Sequence, residues 1–448
     1  MAKAKKAMMP KVVILPEEQQ PFKVPENWIW TDIESINNYK GSSIDPMKNP
    51  DSEYELYSVP SSAENYPEIV SGSEIGSTKQ SVEKGDVLLC KINPRINRVW
   101  KVSQHTENEL LASSEWIIIR NAAINPDYLM YCFRTQYFRE FMLSNVSGVG
   151  GSLMRAQPKF VKNYPVPIAP IQEQQRIVDR IESIFAKLDE AKEKAQAVVD
   201  GFELRKSAIL HKAFIGELTA QWRQEHGVGL DSWEVEKLKN CGKWCGGGTP
   251  STSHPEYWDD GDLMWITSKD MKADLIEDTL MHTNMLGVNN SSANYIENPS
   301  VLFVMRSGIL RRTLPIAMVK QPFTVNQDLK AVTPKENLNL EYLFWACKNS
   351  ERKMLGTCMK NGTTVESINA SALMDFEISI ADMREQLEIV KCIENLIDKE
   401  QQAKDAAVSV IDQIDTMKKA VLARAFRGEL GTNDPADESA MELLKELL

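Results

Sequence analysis

Residues 213–218 read AFIGEL and residues 425–430 read AFRGEL, so one phrase recurs after 212 positions in a chain of 448 residues. The sequence before each phrase repeats as well. Residues 172–218 align with residues 384–430 without a gap, and 20 of these 47 positions are identical. The chain is therefore an internal duplication, and the rest of its organisation follows from this repeat.

Both copies of the repeat place apolar side chains alternately three and four residues apart. This spacing puts one narrow apolar stripe along a long helix, as a coiled-coil seam requires. Packing of each helix against its own globular domain is the alternative, but a compact domain would not cover so long a 3.5-residue stripe. We therefore expect the two helices to pair antiparallel. The predicted seam consists of Ile177, Ile181, Ile184, Leu188, Ala191, Ala195, Val198, Phe202, Ile389, Ile393, Leu396, Ala403, Ala407, Val410, Ile414, Met417 and Val421.

The repeated phrase itself predicts where each helix ends. Gly216 and Gly428 follow the last apolar positions of the two repeats. Glycine adopts the left-handed conformation that commonly terminates a helix. AFxGEL is thus interpreted as a matched pair of helix ends.

Two blocks of similar length lie outside the repeats and share landmarks without sharing much identity. Each opens with a tryptophan, contains a strand-like apolar run before a basic loop, then a short helix, and closes on a glycine-rich loop (147–152 and 360–364). The predicted division is an N-terminal extension 1–24, a first head 25–166, a helical spacer 167–226, a second head 227–378, a second spacer 379–430 and an acidic tail 431–448.

The expected fold class is α+β, or mixed α/β. Short strands and helices mix within each block, and each block is followed by a long helix. We expect two globular heads related by an approximate two-fold axis and separated by an antiparallel coiled coil of the two long helices.

Composition restricts the class of protein. The chain is 42% hydrophobic and 26% charged, with no run of 18 apolar residues, which is typical of a soluble globular protein with no membrane partner. Its seven cysteines follow no repeating spacing, which favours the reducing cytoplasm over a disulfide framework.

The distribution of charge is more informative than its total. The net charge of −11 argues against an anionic partner, yet residues 84–103 and residues 304–330 each carry a net charge of +4. These segments occupy equivalent places in the two blocks. The pattern favours two anion-binding faces over solvated loops with scattered basic residues.

No motif in the sequence predicts an active site. GGGTPST (246–252) lacks the lysine of a phosphate-binding P-loop and is interpreted as a turn. Cys241 and Cys245, with His254 nearby, are the only hint of a metal site, and no second pair completes it. The segment Asn93-Pro94-Arg95 does not match the catalytic motif of an amino-methyltransferase.

Several stretches together resemble the specificity subunits of type I restriction–modification systems. They include APIQEQQRIVDRIE (169–182) and its echo ADMREQLEIVKCIE (381–394), AFIGELTAQWR (213–223), YELYSVPS (54–61), GDVLLCKINPR (85–95) and GGTPSTSHPEYWDDGDLMWITSKD (247–270). Their order covers nearly the whole chain. The second copy departs from the family at 381–384, where a proline-rich lead-in is usual, and at 298–301, which lacks the Gly-Asp of 85–86.

The resemblance implies a non-catalytic reader of double-stranded DNA. In this family two target-recognition domains, here the two heads, each read one half of a split asymmetric sequence, and the conserved helices set the gap. Two modification subunits, which bind S-adenosylmethionine and methylate adenine, dock on this subunit. Two restriction subunits, which use ATP and magnesium, complete the nuclease, and no cofactor is expected in this chain.

The resemblance and the local charge together give candidate DNA-binding residues, since lysine and arginine anchor phosphates and a few polar side chains read bases. The candidates are Lys91, Arg95, Arg98, Lys101, Lys269, Arg306, Arg311 and Arg312. Two alternatives stay open, a coiled-coil scaffold that binds no DNA and an enzyme with an unfamiliar active site.

Overall fold

A computed structural model describes residues 13–148, 154–360 and 365–445. Most of the two glycine-rich loops, at 149–153 and 361–364, therefore lies outside the described residues. The chain divides into two compact units, one formed by Met1–Ala195 and Ser409–Leu448 and the other by Gln196–Val408. Each unit thus contains one head together with parts of both repeats.

The first head is built from short strands in four small sheets with the orders β1-β12, β2-β5-β8-β3-β4, β7-β6-β9 and β10-β11. Pairing is antiparallel except between β3 and β8. Its elements are β1 (Ile29–Asp32), α1 (Ile33–Ile36), β2 (Ser43–Ile44), β3 (Glu53–Tyr57), β4 (Glu68–Ser71), β5 (Lys79–Ser81), β6 (Val87–Cys90), β7 (Val99–Lys101), β8 (Glu109–Ala112), β9 (Trp116–Ile119), α2 (Pro126–Phe133), α3 (Gln136–Ser144), β10 (Val146–Ser147), β11 (Arg155–Ala156), α4 (Pro158–Val161) and β12 (Pro165–Ile168).

Three helices lie between the first head and the second. They are α5 (Ile171–Asp200), α6 (Phe202–Phe214) and α7 (Ala220–His226). The expected single helix of the first repeat is therefore interrupted at Gly201, although the backbone there stays right-handed helical.

The second head repeats the plan with three sheets of order β13-β21, β14-β20-β17-β18 and β16-β15-β19. Here β15 and β19 are the parallel pair, equivalent to β3 and β8. Its elements are β13 (Glu234–Lys237), β14 (Gly242–Gly246), β15 (Leu263–Ile266), β16 (His282–Thr283), α8 (Met285–Asn289), β17 (Ser300–Val304), β18 (Ile316–Val319), β19 (Phe323–Val325), β20 (Leu329–Pro334), α9 (Leu340–Asn349), α10 (Glu351–Cys358), α11 (Ala370–Met374) and β21 (Glu377–Ile380). The second repeat is one helix, α12 (Met383–Ala425), and a short helix α13 (Ala440–Lys445) follows.

Local sequence explains why the equivalent helices α2 and α9 start where they do. Asn125 caps α2 by accepting hydrogen bonds from the backbone of Asp127 and Tyr128, and Pro126 fills the first helical position. Asn339 caps α9 in the same way by accepting from Tyr342 N. Both helices then bury six consecutive residues, and they pack against β6 and β7 in the first head and against β17 and β18 in the second.

The repeats pair antiparallel inside each unit, as predicted. In the first unit Lys418 Nζ lies 2.5 Å from Asp189 Oδ1, and Lys192 Nζ lies 3.9 Å from Asp415 Oδ1. Residues further along α5 therefore pair with residues closer to the start of α12, so the two helices run antiparallel.

The second unit shows the same antiparallel direction with other residues. Arg205 Nε lies 2.5 Å from Glu400 Oε2, and the Lys404 ammonium lies 4.4 Å from the ring centroid of Phe202. Long cationic side chains thus cover the apolar seam with their stems while their charges reach a carboxylate or a ring face.

The predicted seam is wrong at four positions. Ala191, Ala403, Val410 and Met417 are exposed, whereas the other predicted seam residues are buried or half-buried. In α12 the covered line runs through Glu400, Lys404, Ala407, Ile411, Ile414, Lys418 and Val421, which keeps the 3.5-residue period but shifts alternate positions by one. The shift was missed because half-buried lysines belong to the covered line and an apolar-only pattern ignores them.

The glycine helix ends are confirmed. Gly216 has φ +79° and Gly428 has φ +74°. Glu217 N donates to Lys212 O at 2.9 Å, and Glu429 N donates to Arg424 O at 2.9 Å, so both ends close with a six-to-one hydrogen bond. The phenylalanine two positions before each glycine packs on a buried tyrosine of its unit, Phe426 on Tyr128 and Phe214 on Tyr342.

The C-terminal tail packs on this chain. Ala440, Leu443 and Leu444 are buried in the core of the first unit, and Arg176 of α5 forms an ion pair with Asp437. Within the described residues, the apolar side chains of the tail therefore complete the core of the first unit.

Candidate nucleic-acid interface

A buried carboxylate joins the head to both repeats in the first unit. Glu173, in the first turn of α5, is fully buried. Its Oε2 accepts hydrogen bonds from Trp28 Nε1 at 2.6 Å and Asn433 Nδ2 at 2.8 Å, and its Oε1 accepts from Thr432 Oγ1 at 3.2 Å. Trp28 precedes β1, and residues 432–433 follow the end of α12, so three distant segments meet at one side chain. We call this group the first clamp.

The second unit contains the equivalent group, the second clamp, around Glu385 at the start of α12. Glu385 accepts from Trp233 Nε1 at 2.8 Å, from Thr219 Oγ1 at 2.7 Å and from Arg223 Nη1 at 2.7 Å. Arg223 is itself buried, so this clamp is an ion pair whereas the first clamp has neutral donors. The shared geometry shows that the repeat extends to the attachment of each head.

The predicted basic residues of the first head lie mainly on the connection between β6 and β7, residues 91–98, which we call basic turn 1. Asn93 and Asn97 have φ +48° and +53°, which asparagine tolerates better than most residues, and they bracket a short 3-10 turn. Arg95 on this turn is exposed, while Lys91 and Arg98 are half-exposed. Three positive charges therefore share one short connection.

Basic turn 1 is held in place by neighbouring side chains. Arg139 of α3 donates a hydrogen bond to the carbonyl oxygen of Arg95. Arg155 forms an ion pair with Glu115, and the hydrogen bond to Glu115 raises the pKa of the Arg155 guanidinium. Burial raises the pKa of the Cys90 thiol, and Arg98 beside it acts in the opposite direction. Sequence reasoning missed Arg139 and Arg155, since they lie far from the basic segment in the chain.

The second head has an equivalent connection between β17 and β18, residues 305–315, which we call basic turn 2. It carries Arg306, Arg311 and Arg312, all of them exposed. Arg311 forms an ion pair with Glu366, and the hydrogen bond from Arg311 lowers the pKa of that carboxyl group. Glu351 of α10 anchors the turn by accepting from Leu314 N at 3.3 Å.

Register shows that the two turns are equivalent. Lys91 N donates to Glu115 O at 3.0 Å, and Met305 N donates to Asp328 O at 2.7 Å. In each head the acceptor lies in the turn that follows the parallel strand, β8 or β19. Equivalent backbone positions therefore carry different side chains in the two heads.

Lys101 does not lie with the other candidates of the first head. It sits at the far end of β7, and its Nζ is 2.6 Å from Asp127 Oδ1 of α2. The second head has the same bridge, with Lys320 Nζ 2.8 Å from Glu341 Oε1 of α9. Because both heads repeat this strand-to-helix ion pair, the structure gives Lys101 a structural position.

Lys269 is exposed on the loop after β15, at the same end of the second head as basic turn 2. The end of β15 is tied to the β19–β20 turn, since Asn326 N donates to Ile266 O at 3.0 Å. The β19–β20 turn is also bonded to basic turn 2, because Met305 N donates to Asp328 O. Four connections of the second head therefore meet at one edge, which we call the tip of the second head, formed by residues 246–249, 267–270, 305–315 and 326–328.

The two larger sheets of the first head, β2-β5-β8-β3-β4 and β7-β6-β9, differ in charge. Residues 43–82, which supply four strands of the five-stranded sheet, contain seven acidic and two basic side chains, a net charge of −5. Basic turn 1 belongs to the other sheet. A polyanion would therefore be attracted to basic turn 1 and repelled by the five-stranded sheet.

Cys241 and Cys245, which the sequence offered as possible metal ligands, pack in or against the hydrophobic core of the second unit. Cys241 is buried in the core of the second unit, and burial raises the pKa of its thiol to about 11. Within the described ranges, no group of three or more histidine, cysteine or acidic residues is placed to hold a metal ion. No helix in that part of the chain is both long and apolar enough to cross a membrane.

Comparison with known proteins agrees with this arrangement. The family model for the type I restriction modification DNA specificity domain matches residues 231–407. The EcoR124I/EcoR124II specificity subunit of Escherichia coli is 37% identical over 161 residues, which are 36% of this chain and 40% of that protein. The HindI specificity subunit of Haemophilus influenzae is 23% identical over 365 residues, covering 68% of this chain and 78% of that protein.

Solved structures show the same fold. The HsdS subunit from Thermoanaerobacter tengcongensis matches with a TM-score of 0.68 at 18% identity, covering 92% of this chain and all of that one. A second match comes from a structural study of complex assembly and conformational transition in the type I R-M system. That chain matches with a TM-score of 0.67 at 19% identity, covering 92% of this chain and all of that one.

The chain is similar to type I restriction enzyme specificity subunits, and its residues 231–407 match the family model for the type I restriction modification DNA specificity domain. It spans 40% and 36% of the length of the first two curated relatives, the second being the MjaIX specificity subunit of Methanocaldococcus jannaschii.

Proposed function

We propose that this chain binds double-stranded DNA and that each head reads one half of a split, asymmetric sequence. The observation that carries the proposal is the pair of equivalent basic turns, one in each head, on scaffolds that share register but not side chains. Lysine and arginine on these turns would contact phosphates, while neighbouring polar side chains would read base edges. Two different half-sites then follow from two divergent heads.

The paired helices would set the distance between the half-sites. Two readers on one duplex must stay in phase with its helical repeat of about 34–36 Å per turn, so a stiff connection suits them. The clamps support this role, because each fixes its head to the start of one repeat and to the segment after the end of the other.

We also propose the partners of this chain. It would bind two methyltransferase subunits, which supply S-adenosylmethionine and methylate adenine, and two restriction subunits, which use ATP and magnesium. This chain would do no chemistry itself and would decide where its partners act. Native mass spectrometry of the co-expressed proteins tests this stoichiometry, and a complex with one methyltransferase subunit would contradict it.

The dependence of DNA binding on salt separates this function from that of a scaffold that binds only proteins. Binding of a labelled duplex by the full chain with its methyltransferase partner should weaken steeply between 50 mM and 200 mM salt, because each neutralised phosphate releases counterions. Binding that is absent at low salt, or independent of salt, would contradict the proposal.

A further inference from the structure

One side chain at the tip of the second head has the chemistry of a base reader. Gln327 is exposed on the turn between β19 and β20. The residues on either side of it are fixed: Asn326 is buried and bonded to Ile266, and Asp328 accepts from Met305, the first residue of basic turn 2. The turn therefore holds an uncharged amide between two residues that hydrogen bonds fix, next to the start of basic turn 2.

The amide of Gln327 is itself oriented. Thr249 Oγ1 donates to Gln327 Oε1 at 2.7 Å. Thr249 is held there by the glycines before it, since a Cβ on Gly247 would overlap Val325 O and a Cβ on Gly248 would overlap Ser292. The glycines of GGGT (246–249) thus allow the close packing that brings the Thr249 hydroxyl to Gln327. This packing accounts for the glycine-rich stretch without a role in phosphate binding.

The orientation leaves a donor and an acceptor pointing to solvent. The threonine hydroxyl uses one lone pair of Oε1, so Nε2 and the second lone pair are available to a ligand. An amide with this pair of groups matches the N7 acceptor and N6 donor of adenine in the major groove.

The first head differs at this position. Its equivalent turn, residues 113–115, is identified by the bond from Lys91 N to Glu115 O, and Ser114 stands where the second head has Gln327. A serine contacts several bases without choosing adenine. A difference at one equivalent position is what two unlike half-sites require.

We propose that Gln327, oriented by Thr249, reads one adenine in the half-site bound by the second head. The inference rests on the proposed function and adds a specificity-determining residue to it. It predicts that the other half-site is indifferent to Gln327.

The test is selection of bound sequences from a randomised duplex pool, with the full chain and its methyltransferase partner. Gln327→Ala should lose the preference for one adenine by about 5- to 150-fold while every other position is kept. Thr249→Val, which removes the orienting hydroxyl at nearly constant shape, should relax the same position less. Gln321→Ala is the matched control, because Gln321 is an exposed glutamine at the opposite end of β19 and should select the wild-type sequence.

Unchanged selection by Gln327→Ala, or relaxation at a position that is not an adenine on either strand, overturns the inference. A wild-type chain that selects no split sequence refutes the proposed function as well, so the two failures are distinguishable.

Discussion

The two clamps differ by a single charge, and this difference has energetic consequences. Glu385 faces buried Arg223, while Glu173 accepts only from neutral donors. Removing one partner of a buried ion pair leaves the other charge uncompensated, which costs about 3–5 kcal/mol. Removing an acceptor from neutral donors leaves those donors unsatisfied, which costs about 1–3 kcal/mol.

Glu385→Gln should therefore destabilise the protein more than Glu173→Gln does, as measured by urea titration with tryptophan fluorescence. Adding Arg223→Met to Glu385→Gln should recover part of the loss, because it removes the unpaired charge. Equal losses in the two single variants would contradict the assignment of charge to the second clamp alone.

The ion pair between Arg311 and Glu366 predicts a dependence of stability on pH. The pKa of Glu366 is lowered from its ordinary value of 4.5, mainly by the hydrogen bond from Arg311. A carboxyl group with a lowered folded-state pKa stabilises the protein above the ordinary value, and this contribution is lost as pH falls through the lowered one.

The stability difference between wild type and Glu366→Gln should therefore be present at neutral pH and vanish well below pH 4.5. Thermal unfolding of both proteins across this range measures it. A difference that persists in acid would mean that the pair does not form.

At the residue scale the sequence identified the exposed arginines but not what holds them. Glu173 and Glu385 are identical positions of the repeat, yet their partners lie more than 140 residues away, as Trp28 and Trp233 do. Charge counting likewise placed Lys101 with the basic segment, since nothing in the sequence announces its pairing with Asp127.

Among the elements, the paired helices provide a sharp test of the corrected seam. Ile414 is buried, while Met417, three residues further on, is 45% exposed. Truncating a buried isoleucine costs about 2–5 kcal/mol, and an exposed substitution changes stability by within about 0.5 kcal/mol. Ile414→Ala should therefore lower the free energy of unfolding, and Met417→Ala should leave it nearly unchanged. A larger loss for Met417→Ala than for Ile414→Ala would contradict the corrected seam and favour the seam predicted from the sequence.

The helix ends predict a second effect of backbone geometry. An alanine at Gly216 or Gly428 would be forced into the left-handed region, at a cost of about 1–2 kcal/mol, and its Cβ would also press on Leu230 or Pro25. Gly356, inside α10 with open space around it, is the control, since alanine there should stabilise by about 0.5–1 kcal/mol. Urea titration of the three variants measures both signs, and a harmless Gly428→Ala would contradict the helix-end assignment.

Periodicity predicted the existence, antiparallel pairing and ends of the helices because these depend on local pattern. It missed the phase of the seam, which depends on lysine stems, and the interruption at Gly201. It also left the tail undecided, because the burial of Leu443 and Leu444 depends on a groove formed by residues far away in the chain.

For the whole molecule, the basic turns predict how charge removal acts on DNA binding. Arg95→Ala should weaken binding to all sequences alike and reduce the salt slope by about 1 if Arg95 contacts a phosphate. Arg311→Ala should cost about 1–3 kcal/mol on one half-site and relax one of its positions if the contact is a bidentate one to a base. Fluorescence anisotropy over a salt series with matched and mismatched duplexes separates the two, and unchanged binding removes the residue from the interface.

We propose that the two divergent heads on one duplicated frame read two different half-sites. The decisive experiment selects duplexes from a randomised pool with the wild-type chain bound to its methyltransferase partner and sequences the bound fraction. We expect two short defined sequences, unlike each other and separated by an undefined stretch of constant length. A single uninterrupted motif, two identical halves, or no enrichment would contradict it.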